Sequence, residues 1–301
     1  MLSLLQAGDE VIVDHTLYGN TFAYFTQGLP PLGITTRVVD CTDLDAVKAV
    51  ANEKTKVIYF ETPANPNLRL IDIAEMARIA RGVGARVVVD NTFATPVFQR
   101  PLEQGAALVV HSATKYLGGH GDLLAGVVVG SKDDINRIRS MGLRFMTGAT
   151  LSPFNCFPIM RGLKTLDVRM ERHASSALAI ARMLEGHGKI ASVSYPGLDS
   201  FPQAELARRQ MSKPGGLIAF ELDGGLELGM AFMNELTLIS RAVSLGDCET
   251  LVQHPASMTH ANYTPEERAR HGIGDGLLRL SVGLETLDDL LDDVEQALGA
   301  I

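Results

Sequence analysis

The sequence predicts an α/β fold in which a mostly parallel sheet is covered by helices on both faces. Three observations predict it. Short β-branched runs alternate with longer helical patterns through the first half of the chain. The runs are almost continuously apolar, as in strands buried on both faces. Polar residues collect where the runs stop, which is where ligands bind in open α/β sheets.

Taken in order, Val11 to Val13 reads as a strand, Tyr18 to Gln27 as an aromatic helix and Thr36 to Val39 as a strand. Leu44 to Ala51 reads as a short helix, and Val57 to Phe60 as a strand ending in Glu61-Thr62-Pro63. The helix Ile73 to Arg81 stops at the glycines of 82–84, where the chain can turn freely. Strands follow at Arg86 to Val89, Ala106 to Val110 and Ala125 to Val129. From Ser152 the character changes, with Pro153 and Pro158 as punctuation. A long helix then covers Arg161 to Gly186 or breaks once within it, with Leu163, Leu166, Met170, Ala174, Ala177, Ala181 and Leu184 at helical spacing. Strands at Ser192 to Tyr195, Leu217 to Leu222 and Leu277 to Ser281 accompany a helix at Leu228 to Asn234. The last helix opens on a capping-box-like Thr286-x-x-Asp289 and buries Leu287, Leu290, Leu291, Val294 and Leu298. We expect a large domain over residues 1–155 and a smaller α+β domain over 156–301.

The chain has 301 residues, 46% of them hydrophobic, and a net charge of -8. That balance supports a substantial core and argues against a nucleic-acid groove. Cys41, Cys156 and Cys248 lack zinc-like spacing and read as reduced thiols of a cytoplasmic protein. No apolar run approaches membrane-spanning length, and no leader opens the chain. His111, His120, His254 and His260 do not repeat at a metal-ligand spacing, so no metal is expected.

One stretch, Val109 to Gly119, draws most of the chemistry. An apolar strand opens into Ser112 and Thr114, which flank Lys115. Partial desolvation there would lower the lysine pKa and free its amine to attack a carbonyl, and the hydroxyls suit an anion such as phosphate. The alternative is a structural or surface lysine. Asp90, ending Val87-Val88-Val89, is either an anion for a protonated cofactor ring nitrogen or a helix cap or ion-pair partner. Arg279, inside Leu277-Leu278-Arg279-Leu280, either faces solvent or turns inward to grip a carboxylate. Tyr18, before Gly19, either stacks on a flat ring as an acid or base or simply packs. Gly118-Gly119-His120-Gly121 is a weak signal and does not match a nucleotide P-loop. Together, a nucleophilic amine, a ring-nitrogen carboxylate, phosphate-binding hydroxyls and a carboxylate-binding arginine are what a pyridoxal phosphate enzyme acting on an amino acid requires.

Val88-Val89-Asp90-Asn91-Thr92, His111-Ser112-Ala113-Thr114-Lys115-Tyr116 and Arg279-Leu280-Ser281-Val282-Gly283-Leu284-Glu285 resemble the cysteine/methionine metabolism family of pyridoxal phosphate enzymes. Ser244-Leu245-Gly246-Asp247, the motif from Gln253 to His260, Tyr195-Pro196-Gly197-Leu198 and the run from Gln210 to Gly216 are similar to its methionine γ-lyase branch. The resemblance implies the type I, aspartate aminotransferase-like transferase fold and pyridoxal 5′-phosphate as cofactor. It implies that Lys115 carries the cofactor, Asp90 pairs with its ring nitrogen, Ser112 and Thr114 bind its phosphate and Tyr18 stacks over its ring. Asn65 would lie near the cofactor hydroxyl, and Arg279, helped by Ser244, would hold the substrate carboxylate. The implied reaction is γ-elimination of methionine to methanethiol, 2-oxobutanoate and ammonia, with Tyr18 protonating the leaving thiolate, in a homotetramer built as a dimer of dimers. No nucleic-acid or membrane partner is implied.

Two departures qualify these expectations. The family's N-terminal region, with a tyrosine and an arginine that reach the neighbour's phosphate, has no counterpart here, so a phosphate site lacking those groups is expected. That leaves open a non-catalytic homologue acting only by subunit association. Asn20 stands where the methionine γ-lyase branch carries a substrate-shaping cysteine, and Arg144-Phe145 stands in place of a lysine-aspartate pair. Asn20 could donate to a more polar substrate tail, which keeps cystathionine or homocysteine desulfuration and O-acylhomoserine sulfhydrylation as alternatives.

Overall fold

A computed structural model describes the chain apart from residues 260, 262, 263 and 271. His260, the last residue of the Gln253 to His260 motif, therefore lies outside the described residues. The chain forms two compact units. One comprises Met1–Asn65, Leu70–Ala113 and Leu124–Phe157, the other Pro66–Arg69, Thr114–Leu123 and Pro158–Ile301.

The first unit is built on six strands: β1 (Glu10–Asp14), β2 (Thr35–Val39), β3 (Thr55–Glu61), β4 (Arg86–Asp90), β5 (Leu108–Ser112) and β6 (Gly126–Gly130). Their order is β2-β1-β3-β4-β5-β6. Every pairing is parallel except the antiparallel β5–β6. Side chains alternate across the sheet. Ile12, Ile58, Phe60, Val87 and Val89 pack with Val47, Ile73, Met76 and Ala80 on one face. Val11, Val13, Val57, Tyr59 and Val88 pack with Phe25 and Leu29 on the other. Both covering helices on the first face start where the sequence supplies an acceptor. Asp43 caps Leu44–Val50, accepting from the Asp45 and Ala46 backbone N–H groups, and Asp72 caps Ile73–Gly82, accepting from the Glu75 N–H. The strand order reverses between β1 and β3, so their carboxyl ends border a switch point of the kind that hosts ligands, and the parallel strands β4 and β5 end on the same side of the sheet.

The second unit holds β7 (Ile190–Ser194), β8 (Leu217–Leu222), β9 (Ser240–Arg241), β10 (Leu251–Gln253) and β11 (Leu277–Ser281), in the order β7-β8-β11-β10-β9. β11 is central, antiparallel to β8 and to β10, and buried along its whole length. The helices Leu166–Glu185 and Leu287–Ala300 bury Ala177, Ile180, Leu184, Leu290, Val294 and Leu298 against this sheet.

Four local features differ from the sequence reading or settle it. Tyr18 to Gln27 is not one helix: Gly19–Ala23 is α-helical and Tyr24–Gly28 continues as a wider π turn. The expected long helix breaks between Leu163 and Leu166, giving Pro153–Leu163 and Leu166–Glu185. At the break the Gly162 carbonyl accepts from Arg169 Nη2 at 2.8 Å. Thr286 occupies the N-cap of the last helix, but its side chain makes no capping bond there. Helices at Lys132–Arg137 and Ala204–Gln210 are short and lack a long apolar period, so no sequence pattern marked them. Among the described residues no helix is long and apolar enough to cross a membrane.

Candidate active site

At the carboxyl ends of the first unit's strands, acidic and hydroxyl side chains gather. Asp90 ends β4 and remains partly accessible. Its Oδ1 accepts from the Thr92 backbone N–H at 3.0 Å and from Thr92 Oγ1 at 2.6 Å. Its Oδ2 has one contact among the described residues, a long bond from the Tyr59 hydroxyl at 3.4 Å. Burial raises the Asp90 pKa, and the Thr92 and Tyr59 bonds oppose that rise. Thr92 also links the two strand ends, because its Oγ1 accepts from the Ser112 N–H at 2.8 Å. The Ser112 side-chain hydroxyl makes no hydrogen bond among the described residues.

Glu61, at the end of β3, is buried and stands opposite Asp90 in the parallel register. It accepts from the Tyr18 N–H at 2.8 Å and also from the Asn65 N–H. Tyr18 itself is 53% exposed, which leaves its ring face accessible, and its hydroxyl accepts from Asn20 Nδ2 at 3.5 Å.

In the second unit Lys115 is partly buried, and its Nζ donates to Ser244 Oγ at 2.9 Å. Burial and the nearby Arg279 cation lower the Lys115 pKa, while Asp247 works against them. Gly246 makes this approach possible. It has φ of 72°, and a Cβ there would lie 2.8 Å from the Tyr116 nitrogen and 3.2 Å from Lys115 Cβ. Arg279 is 2% exposed, so the solvent-facing alternative does not hold. Because β11 is central and covered on both sides, it has no solvent face to offer. Arg279 Nη2 donates to the Ser244 carbonyl at 2.9 Å and the Val243 carbonyl at 3.2 Å. Desolvation brings its pKa down to about 10.

The strand ends of the first unit thus bring together Tyr18, Asn20, Asn65, Asp90 and Ser112, while Thr114, Lys115, Ser244 and Arg279 belong to the second. The sequence reading missed Glu61, Tyr59 and Thr92. Glu61 had a signal, since it ends an apolar strand just as Asp90 does. The glycine run has a packing explanation. A Cβ at Gly119 would lie 2.1 Å from Arg169 Nη1, the atom that donates to the Tyr116 carbonyl at 2.9 Å.

These side chains fit pyridoxal 5′-phosphate. Lys115 offers an amine with lowered proton affinity, and Asp90 Oδ2 accepts only one long bond among the described residues. Fold and side chains together define a pyridoxal-phosphate-dependent enzyme of the type I transferase fold. The family model for Cys/Met metabolism PLP-dependent enzymes matches residues 1–299, and the chain belongs to that family. It is 60% identical over 298 residues to an L-methionine gamma-lyase of Pseudomonas putida, covering 99% of this chain and 75% of that protein. It is 45% identical over 295 residues to a cystathionine gamma-lyase of Dictyostelium discoideum, covering 98% and 76%. The crystal structure of cystathionine gamma-lyase from Lactobacillus plantarum complexed with L-serine superposes with a TM-score of 0.94 at 40% identity, covering all of this chain and 78% of that one. The chain thus spans about three quarters of the length of these relatives.

Proposed function

We propose that this chain is a carbon–sulfur lyase that carries out γ-elimination of L-methionine, so that methionine and water give methanethiol, 2-oxobutanoate and ammonia. The observation that carries the reading is the Lys115–Ser244–Arg279 arrangement, in which one short turn serves both a nucleophilic amine and a buried carboxylate-binding guanidinium. Support for methionine comes from relatives named L-methionine gamma-lyase at 51–60% identity over nearly the whole chain.

When bound, pyridoxal phosphate supplies an electron sink for the pair released at the substrate Cα. The protein supplies the rest. Lys115 Nζ would hold the cofactor at its aldehyde and would serve as the base for the substrate Cα proton. Ser244 Oγ holds that amine in place. Asp90 Oδ2 would face the ring nitrogen and favour its protonated form, and Ser112 and Thr114 would hold the phosphate. Asn65 orients the cofactor hydroxyl. Arg279 would grip the substrate carboxylate, and Tyr18 would stack on the ring and supply a proton from its hydroxyl to the departing sulfur. The segment 1–155 would serve as the cofactor-binding large domain, and 156–301 as the smaller C-terminal domain that carries Arg279.

Asn20 favours a second reading, cystathionine or homocysteine as substrate. Its amide lies at the Tyr18 hydroxyl, where it can meet a polar tail. Relatives named cystathionine lyases at 45–46% identity support that reading. We place the enzyme in the cytoplasm, which its unpaired cysteines support. A homotetramer is the assembly we favour. In the first unit Leu124, Phe145, Phe154 and Phe157 are each at least 65% exposed, and a subunit contact would cover such large apolar side chains.

The deciding experiment supplies purified protein and pyridoxal phosphate with methionine, cystathionine, homocysteine or O-acetylhomoserine separately. Methanethiol and 2-oxobutanoate from methionine at the highest kcat/KM support the lyase. Turnover of cystathionine or homocysteine but not methionine supports the second reading. No turnover of any, in protein that has bound the cofactor, supports a non-catalytic homologue.

A further inference from the structure

Glu61 is a buried carboxyl for which the reaction above has no use. It ends β3 beside the switch point and lies in register with Asp90. By strand alternation it shares a sheet face with Tyr59, whose hydroxyl bonds Asp90. The titratable groups that face it are Asp90 on β4, Tyr59 on its own strand and Asp14 on β1. All three are acids, and Glu61 makes no ion pair among the described residues. Two adjacent carboxylates in such a place cannot both ionise cheaply.

The hydrogen bonds divide the labour. Asp90 accepts three, two from Thr92 and one from Tyr59, and these favour its charged form. Glu61 accepts from two backbone N–H groups, which a neutral carboxyl can also satisfy through its carbonyl oxygen. Burial and the Asp90 charge hold the Glu61 carboxyl well above the usual carboxylate range. The two N–H groups belong to Tyr18 and Asn65, which lie on separate loops after β1 and β3.

We propose that Glu61 is a positioning residue: its neutral carboxyl fastens the main chain of Tyr18 and Asn65 to the end of β3 and carries the proton of the Glu61–Asp90 pair, so that Asp90 alone is charged. This role presupposes that Asp90 acts on the cofactor ring.

The test compares wild type with Glu61→Gln, which keeps a carbonyl acceptor and mimics the neutral acid, and Glu61→Ala, which removes both. Infrared spectra of the cofactor-free proteins at neutral pH are expected to show a buried protonated-carboxyl band in wild type that is missing in E61Q. The loaded E61Q enzyme is expected to keep the kcat, KM and visible circular dichroism of wild type. In E61A a drop in kcat of up to about a hundredfold, with KM little changed and the visible signal altered, reports displaced Tyr18 and Asn65. The proposal is overturned if the band is absent from wild type, if E61Q is as impaired as E61A, or if E61A matches wild type. Should E61A fail to fold, the band and E61Q still decide. A wild type that does not load cofactor at Lys115 would defeat the presupposed role of Asp90, while the band would still decide where the proton lies.

Discussion

Lys115 donates from Nζ to the Ser244 hydroxyl at 2.9 Å, joining residues 129 positions apart in the sequence. The bond fixes a flexible amine by its tip, and Gly246 lets the loop that carries Ser244 come close enough to make it. Ser244→Ala leaves the amine without that acceptor. We expect kcat to fall about tenfold to a hundredfold, the worth of a hydrogen bond to a charged group, with KM for methionine little changed. Steady-state kinetics checks this, and an unchanged kcat would contradict it.

Arg279 gives the complementary result. Its planar fork is held by the Val243 and Ser244 carbonyls and offers geometry that a lysine lacks. Arg279→Lys is expected to raise KM about tenfold or more with a smaller effect on kcat. The same kinetics applied to this variant would refute the assignment if the loss fell on kcat alone.

The charges around Lys115 predict a pair of opposite pH shifts. Only the unprotonated amine attacks an aldehyde, so capture of pyridoxal phosphate by cofactor-free protein should rise with pH through the Lys115 pKa. Burial and Arg279 place that midpoint below the ordinary lysine value, and Asp247 moderates the effect. Removing the Asp247 charge in Asp247→Asn should move the midpoint to lower pH. Removing the Arg279 charge in Arg279→Gln should move it to higher pH. Stopped-flow absorbance across a pH series measures both, and shifts in the same direction would contradict this electrostatic account.

Stability should fall in acid for a separate reason. His111 and His173 are buried, and desolvation lowers each from the ordinary 6.5 to about 4. The unfolded chain therefore takes up protons between pH 6.5 and about 4 that the folded one refuses. Stability is full above 6.5 and is lost as pH falls through that window, by up to about 3 kcal/mol per histidine. Denaturant titrations at several pH values check this, and His173→Gln should flatten part of the slope.

Much of this was legible in the sequence because period and position carry it. The β-branched runs around Val11, Val57 and Val87 became neighbouring parallel strands, and Asp90 and Ser112 fell at strand ends. What was not legible depends on register and on long-range partners. No local pattern says that Glu61 faces Asp90, since that follows from how β3 aligns with β4. Arg279 could be read either way until β11 was found in the middle of its sheet. The sequence allowed one break in this helix but not its place, because Leu163 and Leu166 keep helical spacing across it, while the group that bonds the Gly162 carbonyl is the Arg169 side chain. The Thr286 motif read as a capping box because spacing alone cannot report where a hydroxyl points.

The most direct test of the whole account is chemical. Protein loaded with pyridoxal phosphate is reduced with borohydride, digested and mapped by mass spectrometry. The account predicts the cofactor label on the peptide containing Lys115, at that residue, and no labelling in Lys115→Ala. Label on another lysine, or none in folded and saturated protein, would contradict it.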